Sequence, residues 1–228
     1  MDINPRKVDL NYDTNPSFHH QFNADILRLY LHKNDLVLDV GCWTGQLIAL
    51  LKRDYRMLGI DIVDGPLRIA KNLHPKAEFY KASVFKIPFP KAHFSAVIFN
   101  DVIEHLPPRS EKKALGEIRR VTRPGGKLLI TTMFDHPLSK IMDPAWFLGH
   151  RHYSEEDLKK LINESGFRVL KIYKTGGFLR AFFHLLELFF KHFLSKKISP
   201  PKRIKRLIEK EYNSGKGFYE IHILAETV

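Results

Sequence analysis

The sequence predicts an α/β fold, a three-layer sandwich in which helices cover both faces of a mostly parallel sheet. Three observations predict it. From Leu36 onward, short apolar runs alternate with amphipathic stretches, as buried parallel strands and surface helices require. The first such run, Leu36-Val37-Leu38-Asp39-Val40, leads directly into a glycine turn, Gly41-Cys42-Trp43-Thr44-Gly45. Finally, a chain of 228 residues with 44% apolar and 27% charged side chains can bury a core and is too apolar to stay unfolded.

Taken in order, Ser17 is placed to cap a helix running to about Leu31. Strands are expected at 36–40, 56–60, 77–81, 96–100 and 127–132. Helices are expected between them, at 46–53, 66–73 and 110–121. Pro124-Gly125-Gly126 is expected to break the last of these before the fifth strand. An irregular stretch, 133–153, follows. Ser154-Glu155-Glu156-Asp157 then opens a helix with acidic residues in its first turn and Gly166 beyond its end. Strands at 167–174 and 218–225 complete the sheet. The whole chain, 1–228, reads as one domain, with 1–35 as an N-terminal cap and 176–216 as an insertion of different character between the last two strands.

Charge and cysteine content narrow the function. The formal net charge of +12 points to anionic partners: nucleic acid, acidic lipid or an acidic substrate. Cys42 is the sole cysteine, so the chain builds no internal disulfide, no cysteine-rich zinc site and no iron–sulfur cluster for radical chemistry. Residues 1–22 carry no apolar leader core, which makes a cytoplasmic location the expectation.

A strand ending in a glycine turn at a helix start offers free N–H groups to a ligand. Gly59-Ile60-Asp61 places a carboxylate at the end of the second strand, where it can accept hydrogen bonds from ribose hydroxyls. With Trp43 where a second glycine belongs, the turn departs from the dinucleotide fingerprint. Val37-Leu38-Asp39-Val40-Gly41-Cys42-Trp43-Thr44-Gly45 instead closely resembles the first motif of the class I methyltransferases, Trp43 replacing the usual middle glycine. Three further blocks are similar to that family and stand in its order: Asn100-Asp101-Val102-Ile103-Glu104-His105-Leu106, the Pro124-Gly125-Gly126 turn, and Tyr153 through Phe167.

The resemblance implies a Rossmann-like, seven-stranded sheet in order 3-2-1-4-5-7-6 with the last strand antiparallel. It also implies an S-adenosylmethionine donor, leaving as S-adenosylhomocysteine, and a small-molecule acceptor. By the same resemblance, Asp39, Gly41, Cys42, Trp43 and Gly45 meet the methionine part of the donor, and Asp61 with Ile62 its ribose. Ser83 and Val84 flank the adenine, Ser83 where many relatives carry aspartate. Asn100 and Asp101 lie at the ammonium group. If the turn needs a left-handed residue at Trp43, the strain is on the order of 1 kcal/mol.

Displacement on a sulfonium needs alignment above all, and a base where the acceptor must lose a proton. His105, after the fourth strand, is the candidate catalytic base. His19, His20, His150 and His152 read as surface or lid residues. Asp101 and Asp135 could hold a magnesium ion, but their spacing does not argue for one, and no metal ligand is assigned.

In the insertion, Arg180, His184, Glu187 and Lys191 form one narrow polar stripe on an otherwise apolar helix, 178–194. With its polar groups the segment is a poor membrane span. Its apolar face can meet a membrane interface, cover a greasy acceptor, or bury itself against a second copy of the chain. Residues 176–216 hold ten basic against three acidic residues, seven of the twelve surplus charges. That pairing of apolar helix and basic cluster fits an anionic membrane surface. The reading is therefore a methyltransferase for a small or lipid-like acceptor, cytoplasmic and membrane-associated through this helix. An RNA methyltransferase and a non-catalytic donor-binding subunit are the alternatives. The basic run 196–206 lacks the interleaved aromatics of single-strand RNA binders, which makes nucleic acid the weaker partner.

Overall fold

The computed structural model describes residues 12, 14–143, 146, 149–194, 196, 198 and 200–228, with backbone alone at 188 and 191–193. Residues 1–11 and 13 of the predicted cap, and Lys197 of the basic cluster, lie outside the described residues.

Helix α1 (Phe18–Tyr30) starts at Ser17, whose hydroxyl shares a 2.9 Å hydrogen bond with His20 Nδ1 while its N–H donates to the same nitrogen at 3.1 Å. A histidine thus takes the place glutamate holds in an ordinary capping box. The sheet is assembled from β1 (Leu36–Val40), β2 (Arg56–Asp61), β3 (Glu78–Lys81), β4 (Phe94–Asn100), β5 (Thr122–Met133), β6 (Phe167–Thr175) and β7 (Glu220–Thr227). Its order is β3-β2-β1-β4-β5-β7-β6, parallel except for β7, which runs antiparallel to both β5 and β6. The remaining helices are α2 (Gln46–Leu51), α3 (Asp64–Leu73), α4 (Glu111–Val121), α5 (Pro137–Met142), α6 (Glu155–Glu164), α7 (Phe178–Leu194) and α8 (Lys202–Tyr212).

The central strands are apolar on both sides because both faces are covered. Leu38, Val40, Phe99 and Ile130 pack with Ile118 and Leu158 on one face. Val37, Ile98 and Leu129 pack with Leu27 of α1 and Ile48 of α2 on the other. The three-layer expectation is met, and strand order and direction follow the predicted plan.

The largest boundary difference is the start of β5: α4 ends at Val121, as expected, but the strand begins at once, at Thr122 rather than Lys127. There Thr122 turns extended, its hydroxyl donating to Ile118 O at 2.7 Å. Pro124-Gly125-Gly126 lies inside the strand as a bulge: Phe94 pairs with Thr122, but Ala96 pairs with Lys127. Gly126 is needed there, since a Cβ would stand 3.0 Å from Ser95 O and 2.7 Å from Thr122 Cγ2.

The insertion leaves the sheet at Thr175 and re-enters at Glu220, residues paired across β6 and β7. Since β6 and β5 both oppose β7, β6 ends at the same edge as β1, β2 and β4. Glu211 of α8 caps the start of α7, accepting from Leu179 N at 3.1 Å and Arg180 N at 3.0 Å. Arg180 and His184 of the polar stripe of α7 turn inward. Arg180 is 9% exposed, and His184 Nδ1 shares a 2.5 Å hydrogen bond with the Tyr219 hydroxyl. Phe178, Phe182 and Phe189 are left on the outside, exposed. Among the described residues, no helix is long and apolar enough to cross a membrane.

Candidate active site

The glycine turn closes at the carboxyl ends of the parallel strands, where β1 has neighbours on either side and ligands of open α/β sheets bind. Gly41 N and Cys42 N both donate to Ile60 O, at 2.8 and 3.0 Å, tying the turn to β2. Gly41 and Gly45 have φ of +76° and +82°. The space matters as much as the angle: a Cβ on Gly41 would stand 2.3 Å from Val102 Cγ2, and one on Gly45 2.7 Å from the His74 ring. Trp43 sits at φ 48°, so it does occupy the left-handed region that its replacement of glycine raised. Its indole is 37% exposed and meets Tyr12 edge to face at 5.2 Å.

Asp61 anchors the turn from β2, accepting from Trp43 N at 3.0 Å and Val63 N at 2.9 Å. Its carboxylate keeps further acceptor capacity for a ligand's hydroxyls. Asp39 lies beneath, 3% exposed; burial, reinforced by Asp61, pushes its carboxyl up to about 7. Burial also drives the Cys42 thiol far up, so it supplies no thiolate at neutral pH. Ile62 is exposed beside Asp61. After β3, Ser83 accepts from Phe85 N at 3.2 Å through its hydroxyl, and Val84 is buried in the core.

At the end of β4, Asp101 has φ 52° and donates its N–H to Thr131 O at 2.9 Å. Its Oδ2 lies 3.1 Å from His19 Nε2 of α1. Desolvation would raise the Asp101 carboxyl, but the His19 ring overrides it and brings it down to about 2. Burial opposes protonation of His19, and Asp101 outweighs it to give a raised pKa. Asn100 Oδ1 accepts from Asn23 Nδ2 at 2.5 Å. A buried polar chain continues from there. His222 Nδ1 meets Asn23 Oδ1 at 2.7 Å, His222 Nε2 meets Thr175 Oγ1 at 2.7 Å and Tyr212 OH at 3.1 Å, and Tyr212 donates to Glu220. Burial holds His222 down at about 3, which keeps it neutral. The chain thus links the end of β4 to the base of the insertion.

His105 lies on a 3₁₀ turn, Ile103–His105, immediately beyond Val102. Its ring is exposed and stacks on His150 at 4.8 Å; burial and the neighbouring His150 lower its pKa. Arg151 pins this turn from the 133–153 stretch, donating to Ile103 O at 2.9 Å and Leu106 O at 2.5 Å. Behind it stand Glu104, Asp143 and His152, all buried or nearly so in their side chains.

Between α1, α7 and α8 lies a cleft of about 710 Å³, lined by Phe18, Phe22, Arg180, Phe183, His184 and Tyr212 among others. Ser17 stands on its wall and shares a 2.8 Å hydrogen bond with His19 Nδ1, which joins the cleft to Asp101. His184 is close enough for Asp143 and Asp101 both to act on it, although burial and Arg180 prevail and leave it at about 3.

The structure brings Gly41, Cys42, Trp43 and Asp61 into one bonded turn, with Asp39 under it and Asp101 and Val102 beside it. His150 and His152, read from sequence as surface or lid residues, are instead ordered around Asp143, and His19 is paired with Asp101. Asn23 and His222 carry one signal that sequence reasoning passed over. Asn23 sits among Ala24, Ile26 and Leu27 on a buried helix face, and His222 interrupts a buried apolar strand. An isolated polar residue in such a place must find a partner. Asp135, weighed as a metal ligand, pairs with Lys140 at 2.5 Å.

Residues 38–130 match the family model described as a methyltransferase domain. An O-methyltransferase of Penicillium expansum is 27% identical over 164 residues, covering 64% of this chain and 56% of that protein. A demethylmenaquinone methyltransferase of Renibacterium salmoninarum is 34% identical over 106 residues, covering 44% and 42%. The chain spans about half the length of the curated relatives it matches first. Among solved structures, a methyltransferase dependent on S-adenosylmethionine from Archaeoglobus fulgidus superposes with a TM-score of 0.64 at 20% identity, covering 91% of this chain and 94% of the other. The [4+2]-cyclase SpnF superposes with a TM-score of 0.68 at 21% identity, covering 90% and 80%.

Proposed function

We propose, from the premise that the chain belongs to the class I S-adenosylmethionine-dependent methyltransferases, that it methylates a small or lipid-like acceptor held between α1 and the insertion. The observation that carries this reading is the α1–α7–α8 cleft, lined by Phe18, Phe22 and Phe183 together with polar and charged groups such as Arg180, Glu187 and Lys205, and joined through Ser17 and His19 to Asp101 at the end of β4. A cleft of that volume and lining suits a small organic molecule.

The glycine turn's place at the carboxyl ends of the parallel strands, with the Asp61 carboxylate at the end of the next strand, supports a donor site there. When bound, S-adenosylmethionine supplies a methyl group on a sulfonium that is already activated for displacement. In this reading Gly41, Cys42, Trp43 and Gly45 cradle its methionine part over Asp39, and Asp61 with Ile62 holds the ribose. Ser83 and Val84 flank the adenine, and Asn100 and Asp101 face the ammonium group. The ionised Asp101 suits a cationic ligand. His105, on the turn after β4 and outside the residues that line the cleft, is the candidate for the group that takes the acceptor's proton. Orientation by these residues does most of the work, since the barrier to in-line transfer falls chiefly by alignment.

Calorimetry with S-adenosylhomocysteine, followed by transfer of labelled methyl groups into lipid, small-molecule, RNA and protein fractions of a cell extract, tests the proposal. Micromolar-range binding and label in the lipid or small-molecule fraction are expected. Absence of binding refutes the donor; label confined to RNA refutes the acceptor class; binding without any transfer favours a non-catalytic subunit. The outward Phe178, Phe182 and Phe189 support a second element, that α7 touches an anionic membrane surface from which a lipid-like acceptor enters.

A further inference from the structure

We infer that Glu104, His105 and His150 form a binding site for a divalent transition-metal cation, held in shape by Asp143 and His152. Asp143 Oδ2 lies 2.7 Å from His150 Nδ1 and 2.9 Å from His152 Nε2. An ionised carboxylate only accepts, so both ring nitrogens carry their protons toward it. The tautomer of His150 is then set, and its Nε2 is a lone pair. That atom is buried and has no hydrogen-bond partner among the described residues. It faces Glu104 Oε1 at 3.8 Å, beyond hydrogen-bond reach, and the Glu104 side chain is 1% exposed. Two buried electron-pair donors therefore look at each other across a gap that a cation would bridge.

His105 supplies the third donor, its ring lying against that of His150 at 4.8 Å with planes 28° apart. The donor atoms of Glu104, His105 and His150 all lie within 4.8 Å of one another. Two donors each about 2.1 Å from one ion stand about 3.4 Å apart at the tetrahedral angle, so the 3.8 Å gap closes with a shift of a few tenths of an ångström. A carboxylate that takes the second N–H of a ligating imidazole is the usual outer partner of such sites, and Asp143 fills that place for His150. The turn is also braced: Arg151, next to His150 in sequence, bonds the carbonyls of Ile103 and Leu106.

Two imidazoles and one carboxylate suit zinc, iron, manganese or cobalt better than calcium or magnesium. Three protein ligands leave a coordination position open, and His105 is exposed, so that position is reachable from solvent. Resting on the methyl-transfer reading, the open position would take an acceptor oxygen, and the ion would do by lowering the hydroxyl's pKa what a free His105 would do as base.

Tag-free protein stripped with a chelator and titrated with Co²⁺ tests the site, read by visible absorption and by melting temperature. One equivalent should bind, with the absorption of a nitrogen- and oxygen-ligated ion and a rise in melting temperature. Glu104→Gln, His105→Asn and His150→Asn should each weaken binding at least about tenfold, and Asp143→Asn about 10- to 100-fold. His93→Asn, an exposed histidine elsewhere, should leave it unchanged. His105 is on the surface, so its variant keeps the test valid if the buried ones misfold. No uptake by the wild type at millimolar Co²⁺, or uptake that survives His105→Asn, overturns the inference. S-adenosylhomocysteine affinity, measured in parallel, reports on the methyl-transfer reading alone.

Discussion

Gly41→Ala isolates the packing that shapes the glycine turn. The new Cβ would stand 2.3 Å from Val102 Cγ2, whereas carbon atoms rest about 3.5–4.0 Å apart. Val102 is β-branched and stiff at χ1, so relief requires backbone movement of the turn or of the β4 end. Overpacking of this kind costs about 1–3 kcal/mol. Holding alanine at φ +76° adds about 1–2 kcal/mol. Restricting the unfolded chain returns about 0.4–1 kcal/mol. The net loss is about 3 kcal/mol, a fall in melting temperature of about 6–12 °C for a domain of this size. Val102→Ala removes the offending methyl, and the other two atoms nearest the new Cβ lie at 3.6 Å, both on Val102 itself. In that background Gly41→Ala should cost only about 1 kcal/mol. Urea denaturation of the four proteins then gives a coupling of about 2 kcal/mol, with S-adenosylhomocysteine affinity lost at least tenfold in the single variant and partly regained in the double. Additive effects within about 0.5 kcal/mol would show that the two residues do not share the space, and the account of the turn would fail.

Asp61→Ala should weaken S-adenosylhomocysteine binding at least tenfold by calorimetry, about 1.4 kcal/mol or more, because the anchor of Trp43 N is lost together with any ribose bonds. His105→Ala should cut turnover about 100-fold with that affinity near wild type; unchanged turnover would remove His105 from the chemistry. Native Asp39 holds its proton to about pH 7, whereas an unfolded aspartate loses it near pH 4. The native state therefore binds more protons in that window, and this group's contribution to stability falls as pH rises from about 4 to 7 and then levels off. Asp39→Asn should remove that slope, so the variant's stability relative to wild type rises between urea melts at pH 4.5 and 7.5; a constant difference would refute it. Replacing Phe178, Phe182 and Phe189 with serine should abolish co-sedimentation with anionic vesicles and spare donor affinity. Wild type that ignores such vesicles at low salt would dismiss the membrane contact.

What the sequence revealed, and what it hid, divides along the range of the interactions. Strand β1, its glycine turn and Asp61 were legible because the chemistry is local: a buried strand must be apolar, and the turn after it must have glycine where a Cβ has no room. The end of α4 at Val121 was legible, but the start of β5 was placed five residues late, because pairing with β4 carries the strand through the Pro-Gly-Gly bulge. His19 meets Asp101 only when α1 folds over the sheet edge, and His150 meets Glu104 across 46 positions of chain. No periodicity encodes such pairs. The stripe on α7 was visible as a pattern, but a helical pattern does not say which side faces water. Glu211, Glu220 and Tyr219 settle that, and all three lie outside the helix.

The pairing of Thr175 with Glu220 bears on how this protein could acquire new substrates. Strand neighbours stand about 4.8 Å apart, so the two ends of the 176–216 segment form a closed gate of nearly fixed width. A segment of different length or composition could be spliced between them without altering the backbone ladder of the sheet, provided it keeps a partner for His222 and Glu220 in place of Tyr212. Its length would matter little, since lengthening a closed loop costs only slowly growing entropy. Selection could therefore exchange the whole 176–216 segment as a cassette while the glycine turn stayed as it is. A chimaera carrying another protein's segment across this gate, with that partner kept, should hold its fold and, under the proposed methyl transfer, keep its affinity for S-adenosylhomocysteine and differ in the acceptor it takes.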